Sequence, residues 1–116
     1  MKEILIDGVV YVKKEREAEL FAGMEYKIVR THSAGVFAGY IESRDGQEVA
    51  IRNARRIYYW DGAASLSQLA VEGTKAPENC KFPTEVDRIV VTEAIELLDC
   101  TKCAQESIKA VAIWAR

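Results

Sequence analysis

The densest group of side chains able to do chemistry is Arg52-Asn53-Ala54-Arg55-Arg56-Ile57-Tyr58-Tyr59-Trp60-Asp61-Gly62-Ala63-Ala64-Ser65. Guanidinium forks suit phosphate oxygens, aromatic faces stack on bases, and the free N–H groups of a helix start attract anions. Together these are the parts of a nucleotide site, with Arg55, Arg56, Tyr58 and Trp60 as its candidate contacts. On a strand, Arg55 and Arg56 point to opposite faces, so at most one of them joins a single pocket within one subunit. The competing reading puts Tyr58 and Trp60 in the core and leaves the arginines solvated or paired with nearby acids.

A second cluster is Asn79-Cys80-Lys81-Phe82-Pro83, with Arg88 nearby. A loop Phe beside Lys81 and Asn79 can stack on a base while its neighbours hydrogen-bond the edge, although loop Phe residues also close off cores. His32, the only histidine, stands at a turn between Thr31 and Ser33 without an identifiable nucleophile or partner. GxSxG, phosphate-loop and HExxH patterns are all missing, so no enzyme activity, catalytic residue or cofactor is expected. Cys80, Cys100 and Cys103 form with His32 the single conceivable Cys/His set of four. Zinc sites usually carry two paired knuckles and only Cys100-Thr-Lys-Cys103 is paired, so ordinary reduced thiols and no metal are expected.

At 116 residues the chain suits one modest core, which leaves little for a deep enclosed site within one subunit. The formal net charge of −2 gives no global attraction to DNA, RNA or an anionic membrane, so none of these is an expected partner and any anion must be held locally. No apolar run long enough to span a bilayer occurs, and an early Asp7 argues against a signal peptide. A cytoplasmic location is the expectation.

The elements that must position these residues read as α+β: an antiparallel β-meander with an N-terminal hairpin and one or two short helices. Ile4 to Val12 around Asp7-Gly8 reads as the hairpin, and Lys13 to Glu19 as a charged helix or linker. Residues 1–23 would thus precede a main ligand-binding domain over 24–116. Strands are expected around Tyr26-Ile28, Val36-Ile41, Val49-Arg52 and Arg56-Trp60, the middle pair joined by Asp45-Gly46. Ala63 to Glu72 reads as a helix closed by Gly73, Val86 to Leu98 as one long strand, and Thr101 as the cap of a final helix through Lys109, with Ile113-Trp114 returning to the core. The hairpin and the Tyr58-Tyr59-Trp60 run carry more apolar surface than one small core readily covers, which predicts a dimer or higher homo-oligomer.

Three segments taken together, Arg30-Thr31-His32-Ser33-Ala34-Gly35-Val36, Asn53 to Leu66, and Val90-Val91-Thr92-Glu93-Ala94-Ile95-Glu96, resemble a family of small phage and prophage proteins over about residues 27 to 116. Within it the sequence is similar to the first type of Thoeris anti-defence protein, a sponge for cyclic ADP-ribose-type signals. The resemblance implies an oligomer of paired subunits in the cytoplasm of an infected or lysogenic bacterial host, holding its ligand without turnover. It places that ligand at the Arg55-Arg56 segment and the Phe82 loop, with Thr92 as a polar helper. It also implies a second, basic site for cyclic oligonucleotides on the last helix, where this sequence offers Lys102 and Lys109. The alternative is a small phage structural or interaction module whose Arg and aromatic residues make subunit contacts.

Overall fold

A computed structural model describes residues 16–116, so the expected hairpin and the first part of the charged stretch lie outside the described residues. Five antiparallel strands, β1 (Glu25–Thr31), β2 (Val36–Asp45), β3 (Glu48–Arg56), β4 (Val86–Val91) and β5 (Ala94–Asp99), form one sheet in the order β4-β3-β2-β1-β5. Two helices, α1 (Leu66–Glu72) and α2 (Lys102–Ala110), complete an α+β fold in which β1 to β4 make the meander. No described helix is long and apolar enough to cross a membrane.

Local chemistry sets the boundaries. Gly46, at φ 62, takes the first position of the two-residue turn between Asp45 and Glu48, a conformation that costs a β-carbon-free residue little. The Ser65 hydroxyl accepts the Gln68 N–H and caps α1, while Gly73, at φ 76, closes it by donating to Leu69 O. Thr101 does two things at once. Its hydroxyl accepts the Ala104 N–H to start α2 and donates to Val71 O at 2.7 Å, which ties the two helices together.

β4 and β5 are consecutive in sequence yet occupy opposite edges of the sheet. A flat five-stranded sheet would hold its edges about 19 Å apart, at about 4.8 Å per spacing. Only Thr92 and Glu93 separate Val91 from Ala94, and three Cα steps reach about 11 Å. The sheet must therefore curl until its edges nearly meet. At that corner His32 N–H donates to Glu93 O and Ala94 N–H donates to Gln47 O. The curl explains why both faces are apolar: Val29, Phe37, Val49, Ile51 and Val91 pack inside the bend, while Ile28, Ala38, Tyr40 and Phe82 pack under the helices. The single long strand expected over Val86 to Leu98 is thus two strands sharing one bend.

The first helix starts at Leu66, after its Ser65 cap, and not at Ala63 as expected, and a further departure occurs at the end of β3. Asn53 and Ala54 together stand opposite Gly39, a bulge at which Asn53 adopts φ 50. The strands approach so closely here that a β-carbon on Gly39 would lie 2.6 Å from Ile51 Cγ2 and 2.9 Å from Arg52 O. β3 runs unbroken through Arg56, so the two strands expected over Val49-Arg52 and Arg56-Trp60 are one, and Ile57 to Trp60 leave the sheet. Their backbone pairs instead with the segment before β4. The Ile113-Trp114 return to the core is only partial, because Ile113 stays exposed and Trp114 is half-buried. Glu17 to Glu19, within the expected linker, lie on the main domain: Ala18 N–H donates to Cys100 O, and Glu19 exchanges two hydrogen bonds with the Gln105 amide.

Candidate functional site

Alternation at the end of β3 sends Arg55 and Arg56 to opposite environments. Arg55 is 6% exposed and donates to three backbone carbonyls: Nε to Pro83 O at 3.1 Å, Nη1 to Ile108 O at 3.2 Å and Nη2 to Phe82 O at 3.1 Å. Burial pushes its guanidinium down from its ordinary value, with Tyr26 and Glu85 opposing that shift. Arg55 thus fastens the loop before β4 and the end of α2 to the sheet. Phe82 is fully buried, and in this fold its ring serves the core and is closed to a stacking ligand. Arg56 is exposed, donates to Ala34 O and lies 4.5 Å from the centre of the Phe37 ring.

Beyond β3, a strip of aromatic rings, Tyr58 and Tyr59 exposed and Trp114 half-buried, is built from three short segments. Lys81 N–H donates to Tyr59 O at 2.8 Å, the Tyr58 and Tyr59 N–H groups share Lys81 O, and Trp114 N–H donates to Phe82 O at 3.0 Å. This backbone lattice sets Tyr58, 64% exposed, parallel to Trp114 with ring centres 5.3 Å apart and planes 7° apart. Tyr59 is 51% exposed beside it. The Lys81 ammonium lies 5.8 Å from the Tyr59 ring centre and 5.6 Å from that of Trp114, and the Arg116 guanidinium lies 6.0 Å from Trp114. Aromatic faces and cations thus share one surface, which suits an aromatic anion.

The structure therefore brings Tyr58 and Lys81 together and adds Tyr59, Trp114 and Arg116, which the sequence reading did not assign to a ligand. The other candidates lie apart or serve structure. Trp60 is half-buried and its indole N–H donates to Ala63 O at 3.2 Å; Asn79 donates to Asp61 at 3.1 Å. Arg88 pairs with Glu42 across the β3–β4 side of the sheet, and Thr92 is exposed at the β4–β5 bend. Lys102 pairs with Glu19 at 3.3 Å, whereas Lys109 donates to the Tyr40 hydroxyl at 2.9 Å, so the two lysines of α2 are engaged with different parts of the fold.

Cys80 and Cys100 are buried free thiols and Cys103 is exposed. Among the described residues no group of three or more His, Cys, Asp or Glu is placed to hold a metal. Burial pushes the Cys100 thiol up to about 12, so it stays protonated.

A family model described as a domain of unknown function (DUF6948) matches residues 24–108, which takes in Tyr58, Tyr59 and Lys81 but ends before Trp114. No curated protein and no solved structure matches the chain.

Proposed function

The chain belongs to the DUF6948 family, and from its own geometry we propose that it is a non-catalytic binding module for a nucleotide-type ligand. The observation that carries this reading is the stack of exposed Tyr58 on half-buried Trp114, with the Lys81 ammonium over the Trp114 ring. A base extends such a stack, and Lys81 and Arg116 face its phosphates. Base stacking contributes about 1–3 kcal/mol and tolerates any base, so ligand identity would be set by the charged partners. In its sharper form the ligand is a cyclic ADP-ribose-type signal held without turnover, as the resemblance to anti-defence sponges implies. The contacts then fall on the aromatic strip, because Phe82 is fully buried and Arg55 is turned inward beneath the loop before β4.

A Trp60→Phe variant leaves Trp114 as the sole indole reporter. Titration with cyclic ADP-ribose isomers and with adenosine monophosphate is expected to give saturable heat and to quench Trp114, and both responses should vanish in Tyr58→Ala and Lys81→Ala. Absence of heat and quenching with every nucleotide rejects the reading. A second reading, a subunit or protein contact, is favoured by Ile113, which is 59% exposed in the same strip. Tyr, Trp and Arg dominate such contacts. Light scattering that shows an oligomer broken by Tyr58→Ala, with no nucleotide heat, would select it.

A further inference from the structure

Between the sheet and α2 lies a cavity of about 60 Å³, lined by Tyr26, Tyr40, Asn53, Arg55, Glu85 and Lys109. Its lining is rich in donors. The Tyr40 hydroxyl oxygen accepts from Lys109 Nζ at 2.9 Å and Gln105 Nε2 at 3.2 Å, so both lone pairs are used and its own proton must be given to an acceptor. The Tyr26 hydroxyl belongs to a residue only 4% exposed that lines the same cavity. Arg55 commits one N–H from each nitrogen to the three carbonyls, which leaves two of its five, and Lys109 keeps further protons beyond the one given to Tyr40. Two cations face one carboxylate, Glu85, which is exposed and outside salt-bridge distance of Arg55.

Water supplies donors and acceptors in equal number, whereas this lining calls for acceptors. We propose that the cavity is a binding site for a small oxyanion of phosphate or sulfate type, received by the Tyr26 and Tyr40 hydroxyls, Arg55 and Lys109. A cavity of about 60 Å³ has room for a small ion. Burial holds the Tyr26 phenol protonated well above the ordinary phenol range, so it meets the anion as a neutral donor. The site shares no side chain with the aromatic strip and stands whether or not that strip binds nucleotides.

The test is thermal unfolding of the full chain in rising inorganic phosphate or sulfate, against sodium chloride at matched ionic strength. A ligand of the folded state raises the midpoint in a saturable way. The oxyanions are expected to do so and chloride is not. Tyr26→Phe and Lys109→Met should each weaken the apparent affinity about tenfold or more, while Glu85→Gln should tighten it. Lys109 is exposed, so its substitution leaves the fold intact should Tyr26→Phe fail to fold. No saturable oxyanion response, a response unchanged in Lys109→Met, or a weaker response in Glu85→Gln overturns the proposal. A phosphomonoester that competes shows the group entering as the end of a larger ligand, and one that does not shows a free ion; either result stands within the proposal.

Discussion

Two regions built from similar residue types lie a few positions apart and behave in opposite ways. Around Arg55, a guanidinium and an aromatic ring are turned inward: the cation lies 5.6 Å from the Phe82 ring centre and its protons go to backbone carbonyls. Around Tyr58, two tyrosine rings and the neighbouring cations are turned outward. The difference lies in the backbone. The bulge at Asn53 and the end of β3 at Arg56 divide one continuous stretch of sequence into an anchor and a platform. Composition alone does not separate them.

The comparison breaks most sharply at the arginines. Arg55→Ala strands three backbone carbonyls, two of them in buried contacts, and should destabilise the fold by about 3–5 kcal/mol, whereas Arg56→Ala should cost about 1 kcal/mol or less, as measured by urea unfolding. Equal effects would refute the division. Gly39→Ala comes next, because its β-carbon would meet Ile51 and the Arg52 carbonyl across the bulge. The expected loss is about 1–3 kcal/mol, and a neutral result would mean that the bulge does not hold the strands so close. On the platform side, Tyr58→Ala should lower stability by about 1 kcal/mol or less while removing nucleotide binding, so that calorimetry and unfolding give opposite rankings for Arg56 and Tyr58.

The smallest effect concerns Glu42. Hydrogen bonding to Arg88, with Arg52 adding its charge, holds the carboxyl below its ordinary value of 4.5. A carboxyl with a depressed folded-state value stabilises above its unfolded value, and that contribution is lost as pH falls through the folded one. Wild type should therefore melt slightly above Glu42→Gln near neutrality, and the gap should close below the ordinary carboxylate range and shrink with salt. A gap that widened toward low pH would contradict the pairing.

Much of the fold was legible wherever a residue acts on its immediate neighbours. Gly46, Gly73 and Thr101 mark a turn and two caps through φ preference or a hydroxyl within one helical turn, and each is found in that role, whereas Ser65, expected inside the first helix, proves to be its cap. The split of Val86 to Leu98 was not legible, because its cause is the distant Gln47 carbonyl and His32 N–H that hold the bend. The same limit governs the site. Tyr58 and Lys81 carry readable chemistry, but their meeting depends on pairing across more than twenty residues. Ile113-Trp114 looked like core because the pair is apolar; the signal that Trp114 keeps part of its ring at the surface is Arg116 two residues on, a charge beside the ring. Phe82 and Arg55 exchanged roles with what their types suggested, since only the surrounding carbonyls decide whether a guanidinium is an anchor or a hook.

The curl of the sheet also governs how the chain reaches this shape. β1 acquires β2 from the next hairpin, but its other neighbour, β5, arrives from far along the chain: the paired residues Lys27 and Asp99 are 72 positions apart. That pairing closes a long loop before any of its contacts can compensate for the lost entropy. Folding should therefore proceed on the millisecond-to-second scale of non-local β topologies, with the β2–β3 hairpin able to form early and the β1–β5 seam late. Until the seam forms, the free edge of β1 offers unpaired backbone groups to other chains, so the slow step is also the one at which this protein is most open to aggregation.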